Sequence, residues 1–312
     1  MRVASIDIGT NAVLLLIADI DDNSVIKPVE HQQRFPRLGK EVDYKYIISP
    51  SAFETVTNVL NEYKNLSQQY EVDTIIACAT SAVRDSSNKN EFIKHLKEIT
   101  GIDVEVISGE DEALLTYKGA VSGLTTHNKQ IVVLDIGGGS TEISFKRDNV
   151  FIFHSLQIGA VRLTERYFKH NPPIDEEIEL MISAISTEFL RVGAFDFFSY
   201  IFVGVAGTVT TLACLDQDLN EFDVKRVSGY RLTYECVEEW SNKLIKMKSS
   251  QIRSLSNTTE GRADILPAGV LILRNFMKHF NFKEILVSDR GLRYGMAFRE
   301  WEKQDNALGG EL

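Results

Sequence analysis

Two short segments of the chain combine an acidic residue, glycines and hydroxyl side chains directly after an apolar run. They are Asp7-Ile8-Gly9-Thr10-Asn11 and Asp135-Ile136-Gly137-Gly138-Gly139-Ser140-Thr141-Glu142. Glycine can adopt a positive φ and lets the backbone approach a ligand closely, and successive N–H groups in such a turn form a concave site for an anion. Thr10, Ser140 and Thr141 add hydroxyl donors. Each segment therefore predicts a phosphate-binding turn at the end of a buried strand.

The acidic residue of each segment predicts a cation. Asp7 and Asp135 stand beside the expected phosphates, and a carboxylate would repel a phosphate unless a cation lay between them. Mg²⁺ is usually held by one or two carboxylates together with phosphate oxygens and waters. We therefore predict that Asp7 and Asp135 hold Mg²⁺, with Mn²⁺ as the alternative ion. An ordinary hairpin turn is the alternative interpretation of either segment alone, but two such turns predict related halves facing each other across several phosphates.

Charge and composition exclude several classes of function. The 312 residues carry a net charge of −10, from 34 basic and 44 acidic side chains, which argues against non-specific nucleic-acid binding. No apolar run is long enough to span a bilayer, and Asp7 interrupts the apolar N-terminus, so neither a membrane segment nor a signal peptide is predicted. The three cysteines (Cys78, Cys214 and Cys236) form no CxxC pair, which is typical of reduced residues in a cytoplasmic protein.

The elements around the two segments repeat in the same order. Three strands are predicted at Val3–Ile8, Val13–Ile20 and Val25–Glu30, and three more at Ile131–Asp135, Glu142–Lys146 and Val150–Leu156. Alternating helices and strands follow each set. This order predicts two α/β domains with mixed five-stranded sheets flanked by helices and with the active site in a cleft between them. We place the domains at residues 1–124 and 125–298, with residues 299–312 packing back on the first and a linker at Thr125–Lys129.

Six motifs point to a known family. They are the two segments above, Ala79-Thr80-Ser81-Ala82-Val83-Arg84, Ile107-Ser108-Gly109-Glu110-Asp111-Glu112-Ala113, Gly204-Val205-Ala206-Gly207-Thr208 and Val287-Ser288-Asp289-Arg290-Gly291-Leu292-Arg293-Tyr294-Gly295. In this order, and over almost the whole chain, they resemble the exopolyphosphatase/guanosine pentaphosphate phosphatase (Ppx/GppA) family. The pairing of Ser108-Gly109-x-x-Glu112-Ala113 with the triple-glycine turn is the most specific signal, because kinases and chaperones of the same superfold do not typically carry it.

The resemblance implies a fold and a reaction. The fold would be two ribonuclease H-like domains of the actin, sugar kinase and Hsp70 superfold. The reaction would be hydrolysis of a phosphoanhydride, either the terminal one of inorganic polyphosphate or the one that converts guanosine pentaphosphate to guanosine tetraphosphate. Such a reaction needs an in-line water, neutralisation of charge on the transferred phosphoryl group and a residue that orients or deprotonates the water. A homodimer is also expected from the resemblance.

The resemblance also implies roles for individual residues. Glu112 matches the catalytic glutamate, and Glu142 matches a second essential glutamate that binds metal or assists the water. Arg84 would bind the transferred or adjacent phosphate. Gly207 and Thr208 start a helix, which suits an anion. The full set of phosphate-binding residues is then Gly9, Thr10, Asn11, Arg84, Gly137, Gly138, Gly139, Ser140, Thr141, Gly207 and Thr208, and the metal ligands are Asp7, Asp135 and Glu142.

Some observations leave alternatives open. The family often has a second hydroxyl and a basic residue after the first turn, where this chain has Ala12 and Leu14–Leu15. Two groups of basic residues could guide a phosphate chain: the first is Arg34, Arg37, Lys40 and Lys45, and the second is Arg162, Arg166 and Lys169. An ordinary solvated surface explains either group equally well. A small-molecule kinase of the same superfold, or a non-catalytic module that binds polyphosphate or guanosine tetraphosphate, are the alternative functions. The kinase leaves Glu112 unexplained.

Overall fold

The structure of the chain is a computed structural model that describes residues 1–124, 129–193 and 195–309. It divides into two compact units, unit 1 with Met1–Ser122 and Arg290–Leu312, and unit 2 with Gly123–Asp289. The predicted linker falls mainly on residues 125–128, which lie outside the described residues. None of the described helices is long and apolar enough to cross a membrane.

The first part of unit 1 contains five strands and five helices. In chain order they are β1 (Arg2–Ile8), β2 (Val13–Ile20), β3 (Ile26–Arg34), α1 (Val42–Lys45), α2 (Pro50–Gln69), β4 (Thr74–Ala79), α3 (Ser81–Arg84), α4 (Lys89–Thr100), β5 (Val104–Val106) and α5 (Gly109–Val121). The strands form one mixed sheet in the order β3-β2-β1-β4-β5. β1, β2 and β3 pair antiparallel, while β4 pairs parallel to both β1 and β5.

Unit 2 repeats this plan with one more strand. Its elements are β6 (Gln130–Ile136), β7 (Thr141–Arg147), β8 (Val150–Leu156), α6 (Ala160–Tyr167), α7 (Asp175–Leu190), β9 (Tyr200–Val205), α8 (Ala206–Asp216), α9 (Val224–Val227), β10 (Arg231–Thr233), α10 (Tyr234–Leu244), α11 (Ser249–Arg253), a short 3₁₀ helix (Asn257–Thr259), α12 (Leu266–His279) and β11 (Glu284–Val287). The last helix, α13 (Leu292–Gly309), belongs to unit 1.

The second sheet corrects one detail of the prediction. Its order is β10-β11-β9-β6-β7-β8, which is six strands rather than five. The additional strand, β10, has three residues and pairs antiparallel with β11. A three-residue strand is too short to show a period-two pattern in the sequence. The predicted class, two mixed sheets flanked by helices, is confirmed.

The sheet of unit 1 is covered on both faces by helices. Side chains alternate between the faces of β1, so Ala4, Ile6 and Ile8 pack in one core with α2 and α4. Val3 packs on the opposite face with Tyr294 of α13. By the same alternation Asp7 lies on the α13 face of the sheet.

The backbones of α5 and of the start of α13 are in direct contact. A Cβ added to Gly295 would lie 1.8 Å from the carbonyl oxygen of Leu115, and one added to Gly119 would lie 2.1 Å from that of Gly291. Only glycine permits this approach. Residues 299–312 were predicted to pack back on the first domain, whereas the structure groups the chain with unit 1 from Arg290 onward. The glycine contact ties the start of α13 to α5.

The core of unit 2 lies between one face of its sheet and the helices α7, α8, α10 and α12. Aromatic rings fill much of it, including Phe202 of β9 against Phe276 of α12 at 5.0 Å and against Phe282 at 4.5 Å between ring centroids. Ile136 and Ile143 contribute to the same core. Successive side chains of a strand point to opposite faces, so their neighbours Asp135 and Glu142 lie on the other face of the sheet.

Candidate active site

The two glycine turns have the same backbone geometry. Gly9 N donates to Ala12 O at 3.0 Å, and Gly137 N donates to Ser140 O at 3.0 Å. Neither Gly9 nor Gly137 has a φ in the left-handed region, contrary to the role we expected for glycine. The requirement is instead one of space, because a Cβ would lie 3.1 Å from Ala12 O in the first turn and 3.0 Å from Ser140 O in the second. The repeat seen in the sequence is thus a repeat of structure.

The first turn is held by the loop that follows β3. Gly39 N donates to Thr10 O at 2.7 Å, and Arg37 N donates to Asn11 O at 3.1 Å. A Cβ at Gly39 would lie 2.1 Å from the methyl carbon of Thr10, so the loop passes directly over the turn. Two residues of the first predicted basic group form ion pairs on the surface of the unit: Lys45 of α1 pairs with Glu41 at 2.5 Å, and Arg34, the last residue of β3, pairs with Glu62.

The second turn is held by the N-terminus of α6. Ala160 N donates to Gly137 O at 2.9 Å and Val161 N to Gly138 O at 2.8 Å, while the guanidinium Nε of Arg162 donates to Gly139 O at 2.6 Å. These bonds engage the carbonyl oxygens of the turn, so any anion would be bound through its N–H groups. Arg162, which we grouped with a possible guiding cluster, therefore supports the turn itself.

The hydroxyl residues of the second turn are deeply buried. Ser140 is 2% exposed and Thr141 is fully buried. The hydroxyl of Thr141 donates to Ile158 O at 2.6 Å, which uses its one proton. The hydroxyl of Thr141 is therefore not available as a donor to a phosphate, and only its backbone N–H could serve. For Ser140, the role of hydroxyl donor stays a prediction.

Strand register brings two of the predicted carboxylates together. Asp135 of β6 lies directly opposite Glu142 of β7, at the end of the strands where the glycine turn begins. Ser155 of β8 donates to Glu142 Oε1 at 2.8 Å, and Glu142 is only 2% exposed. Like charges directly opposite in a sheet destabilise it. A divalent cation between the two carboxylates would remove that cost.

The equivalent position in unit 1 carries one carboxylate. Asp7 lies opposite Leu14, so the first turn lacks the second acid. Asp7 Oδ1 is buried and has no hydrogen-bond partner among the described residues. Burial, reinforced by the nearby charge of Glu112 and only partly offset by Arg293, raises the pKa of Asp7 to about 7. A buried carboxylate oxygen with no donor is suited to a cation.

The carboxylates of Asp7, Asp135 and Glu142 are the donors that a bound metal ion would use. Among the described residues no group of three or more histidine, cysteine, aspartate or glutamate side chains is close enough to hold a metal ion. A closed protein cage is therefore not formed by that part of the chain. The donor set fits an ion such as Mg²⁺, which takes one or two carboxylates and completes its shell with phosphate oxygens and water.

The predicted catalytic glutamate forms an ion pair with the predicted phosphate-binding arginine. Glu112 lies in the first turn of α5 and is 8% exposed. Arg84 Nη1 lies 2.8 Å from Glu112 Oε2 and also donates to Ile107 O at 3.2 Å. Burial raises the pKa of Glu112, and Arg84 opposes that rise. The roles of Glu112 as a base and of Arg84 as a phosphate ligand stay predictions.

A second arginine in unit 2 was missed by the sequence analysis. A Cβ on Gly207 would lie 2.1 Å from Arg262 Nη1, so the guanidinium packs against the backbone at the start of α8. Arg262 also donates to Thr211 at 3.0 Å, and burial lowers its pKa to about 10. Thr208, in the same turn, packs against Gly269, where a Cβ would lie 2.4 Å from its hydroxyl oxygen. Arg262 follows a glycine in a turn with no recognisable pattern, so no local signal marked it.

The structure thus gathers the predicted residues into two sets. In unit 1, Asp7, Gly9–Asn11, Arg84 and Glu112 lie around the ends of β1 and β4, which are parallel neighbours. In unit 2, Asp135, Glu142 and the glycine turn lie at the end of β6, beside the start of α8 after its parallel neighbour β9. The carboxyl ends of parallel strands are the usual place for ligands in open α/β sheets.

Known proteins are similar to this chain over almost its whole length. The profile of the Ppx/GppA phosphatase family matches residues 16–304. Exopolyphosphatase 2 of Mycobacterium tuberculosis is 31% identical over 319 aligned residues, covering 95% of this chain and 97% of that protein.

Solved structures agree with this assignment. The Ppx/GppA family member of Aquifex aeolicus is 33% identical, with a TM-score of 0.82 and coverage of 97% of this chain and 98% of its own. An exopolyphosphatase from Cytophaga hutchinsonii is 25% identical, with a TM-score of 0.89 and the same coverage of the two chains, 97% and 98%. Because the family profile matches residues 16–304 and a relative that is 31% identical covers 95% of the chain, the chain belongs to the Ppx/GppA phosphatase family.

Proposed function

We propose that the protein is a phosphoanhydride hydrolase that releases orthophosphate from the end of inorganic polyphosphate. Family membership supports hydrolysis, and the relatives named exopolyphosphatase support polyphosphate as the substrate. Guanosine pentaphosphate is the second candidate, because its 5′ terminal phosphate is joined by the same kind of bond and the family takes its name from both activities.

The observation that carries the proposal is the buried Glu112 beside Arg84. Water attacks a phosphorus atom only if a group orients it or takes its proton, and a glutamate with a raised pKa suits that task. Arg84 supplies a permanent positive charge 2.8 Å away, where phosphate oxygens would gain charge in the transition state. A module that only binds phosphate has no need of a buried carboxylate here, since it would repel the ligand.

The other residues bind and neutralise the substrate. The N–H groups of the glycine turns, with Ser140 and Thr10, bind the phosphate oxygens, and the start of α8 at Gly207 and Thr208 provides a further set of N–H donors. Asp7, Asp135 and Glu142 would hold Mg²⁺, or Mn²⁺ in its place. The bound ion would neutralise the phosphates and polarise the bond that breaks.

Phosphate release tests the proposal directly. Purified protein is assayed with polyphosphate of defined lengths, guanosine pentaphosphate and ATP, each with Mg²⁺ and with EDTA. We expect release from polyphosphate with Mg²⁺ and none with EDTA. Glu112→Gln should lower kcat by a factor of about 10²–10⁴, because general base catalysis contributes that much. Glu110→Gln, an exposed glutamate in the same helical turn, is the matched control and should leave kcat unchanged.

Each alternative function has its own outcome in this assay. Full activity of Glu112→Gln would show that another group activates the water. Binding of polyphosphate without release from any substrate would identify a binding module. Transfer of phosphate from ATP to a small acceptor, without release from polyphosphate, would identify a kinase. The homodimer and the cytoplasmic location stay predictions, and sedimentation analysis tests the first.

A further inference from the structure

Arg84 is fixed from two sides by the protein. Its Nη1 donates to Ile107 O at 3.2 Å and to Glu112 Oε2 at 2.8 Å. Ile107 is itself tied to the end of β4, since its N–H donates to Ala79 O at 3.1 Å. The backbone of Arg84 follows the same strand, with its N–H donating to Thr80 O at 2.9 Å. The guanidinium therefore has a set position relative to the sheet edge that carries the first glycine turn.

Glu112 is also held from its own side. Ser108 is the N-cap of α5, and its hydroxyl oxygen accepts a hydrogen bond from Asp111 N at 3.0 Å, which fixes the first turn of the helix. The glycine contact with α13 fixes the helix axis. The carboxylate side chain still has rotatable bonds, and the contact that orients its Oε2 is the one with Arg84.

We propose that Arg84 is a positioning residue for Glu112 as well as a ligand of phosphate, so that one guanidinium sets the carboxylate relative to the phosphate. This inference rests on the proposed hydrolase function. A guanidinium is a rigid planar fork with five N–H donors, so one guanidinium can contact a carboxylate and a phosphate oxygen in a fixed relative geometry. The Nη1 edge meanwhile holds Glu112. The water between carboxylate and phosphorus then has both neighbours fixed by the same group.

Replacing Arg84 by lysine separates the binding of phosphate from the positioning of Glu112. Its ammonium is a point charge on a flexible chain, so it can attract a phosphate but cannot hold a phosphate and a carboxylate in one rigid geometry. A displacement of about 1 Å in a reacting group can cost about 10²-fold in rate. Arg84→Lys should therefore keep most of the substrate affinity while losing most of the rate.

The test measures rate and affinity separately, with Mg²⁺ and inorganic tetraphosphate as the substrate. Steady-state release gives kcat for the wild type, Arg84→Lys, Glu112→Asp and the double variant. Calorimetry gives Kd for tetraphosphate in Glu112→Gln with and without Arg84→Lys. The control is Arg299→Lys, because Arg299 forms a comparable ion pair in the same unit, 2.6 Å from Glu105. Thermal unfolding verifies that each variant is folded.

We expect Arg84→Lys to lower kcat about 100-fold and to weaken Kd by no more than about threefold. Glu112→Asp shortens the side chain, which breaks the contact from the other side. The double variant should therefore be no more than about threefold slower than the slower single variant, since residues acting as a unit are not additive.

Three results would overturn the inference. They are equal losses in kcat and affinity for Arg84→Lys, a kcat within about threefold of the wild type, or losses that multiply in the double variant. If Arg84→Lys does not fold, Glu112→Asp alone decides, and an unchanged kcat there rejects the inference. A wild type that releases no phosphate would instead reject the proposed hydrolase function, and this inference with it.

Discussion

Replacing Asp7 by asparagine should make the metal-free protein more stable at alkaline pH. The carboxylate oxygen Oδ1 is buried and has no hydrogen-bond donor among the described residues. Burial, and then the charge of Glu112, disfavour its ionised form and raise its pKa to about 7, while Arg293 counteracts them. Asparagine has nearly the same shape and no charge. The variant therefore removes the unfavourable charge and leaves the packing in place.

The size and sign of the effect follow from the two ionisation equilibria. The carboxyl group ionises at 3.8 in the unfolded chain and at about 7 in the folded protein. Between these values the folded state keeps a proton that the unfolded state has released, so the free energy of unfolding falls as pH rises. At about 1.4 kcal/mol per pKa unit, the raised pKa of Asp7 lowers the free energy of unfolding by on the order of 4 kcal/mol at pH 8. At pH 5 the reduction is smaller by about 2.6 kcal/mol.

Thermal unfolding in EDTA between pH 5 and pH 8 measures this difference. We expect the Tm of Asp7→Asn minus that of the wild type to rise by about 5–10 °C from pH 5 to pH 8, since about 1 kcal/mol corresponds to 2–4 °C in a domain of this size. Any fixed cost of burying the amide cancels in this comparison. The exposed Asp305→Asn is the control. A difference that does not change with pH would refute the argument.

Three further changes test the supports of the candidate site. Gly159→Ala places a Cβ 2.5 Å from a carbonyl oxygen of the second glycine turn, so calorimetry should show a loss of about 1–3 kcal/mol, and an unchanged Tm would contradict the geometry. Ser155→Ala removes the 2.8 Å bond to Glu142, and kcat should fall about tenfold and recover in Ser155→Thr; equal rates for all three proteins would rule out this role. Asn88→Ala removes two bonds to the backbone of Ile48, at 2.9 and 3.0 Å, and should lower the urea midpoint by an amount worth about 1–3 kcal/mol; no shift would mean that the loop is held otherwise.

The sequence predicts most strands of the fold, because most of them are compact apolar runs before a turn; the three-residue β10 was missed. The strands Val13–Ile20 and Val150–Leu156 were predicted with their observed ends. The helix Leu292–Gly309 was not predicted as one element. The apolar residues at its start divide between two clusters, one with β1 and β2 and one with β4 and α5, and its remaining length is largely polar, so the helical period is weak.

The site is predictable to the extent that its residues share a local segment. Asp135 and Glu142 follow from one motif, and the antiparallel register that places them opposite each other follows from the length of the turn. The contact of Arg84 with Glu112 joins residues 28 positions apart, and Arg262 approaches Gly207 from 55 positions away. Such contacts depend on how helices pack on the sheet, which no spacing in the sequence encodes.

Unit 1 is built from two separate stretches of the chain, and this affects how it folds during translation. Residues 123–289 form one continuous unit, whereas unit 1 needs the segment from Arg290 onward to complete its sheet face. During translation Val3, Leu16 and Ala18 stay uncovered until α13 has left the ribosome. At about 5–20 residues per second, that delay lasts on the order of ten seconds or more. Over that interval the nascent chain presents an uncovered apolar surface, which makes it a natural client for chaperones.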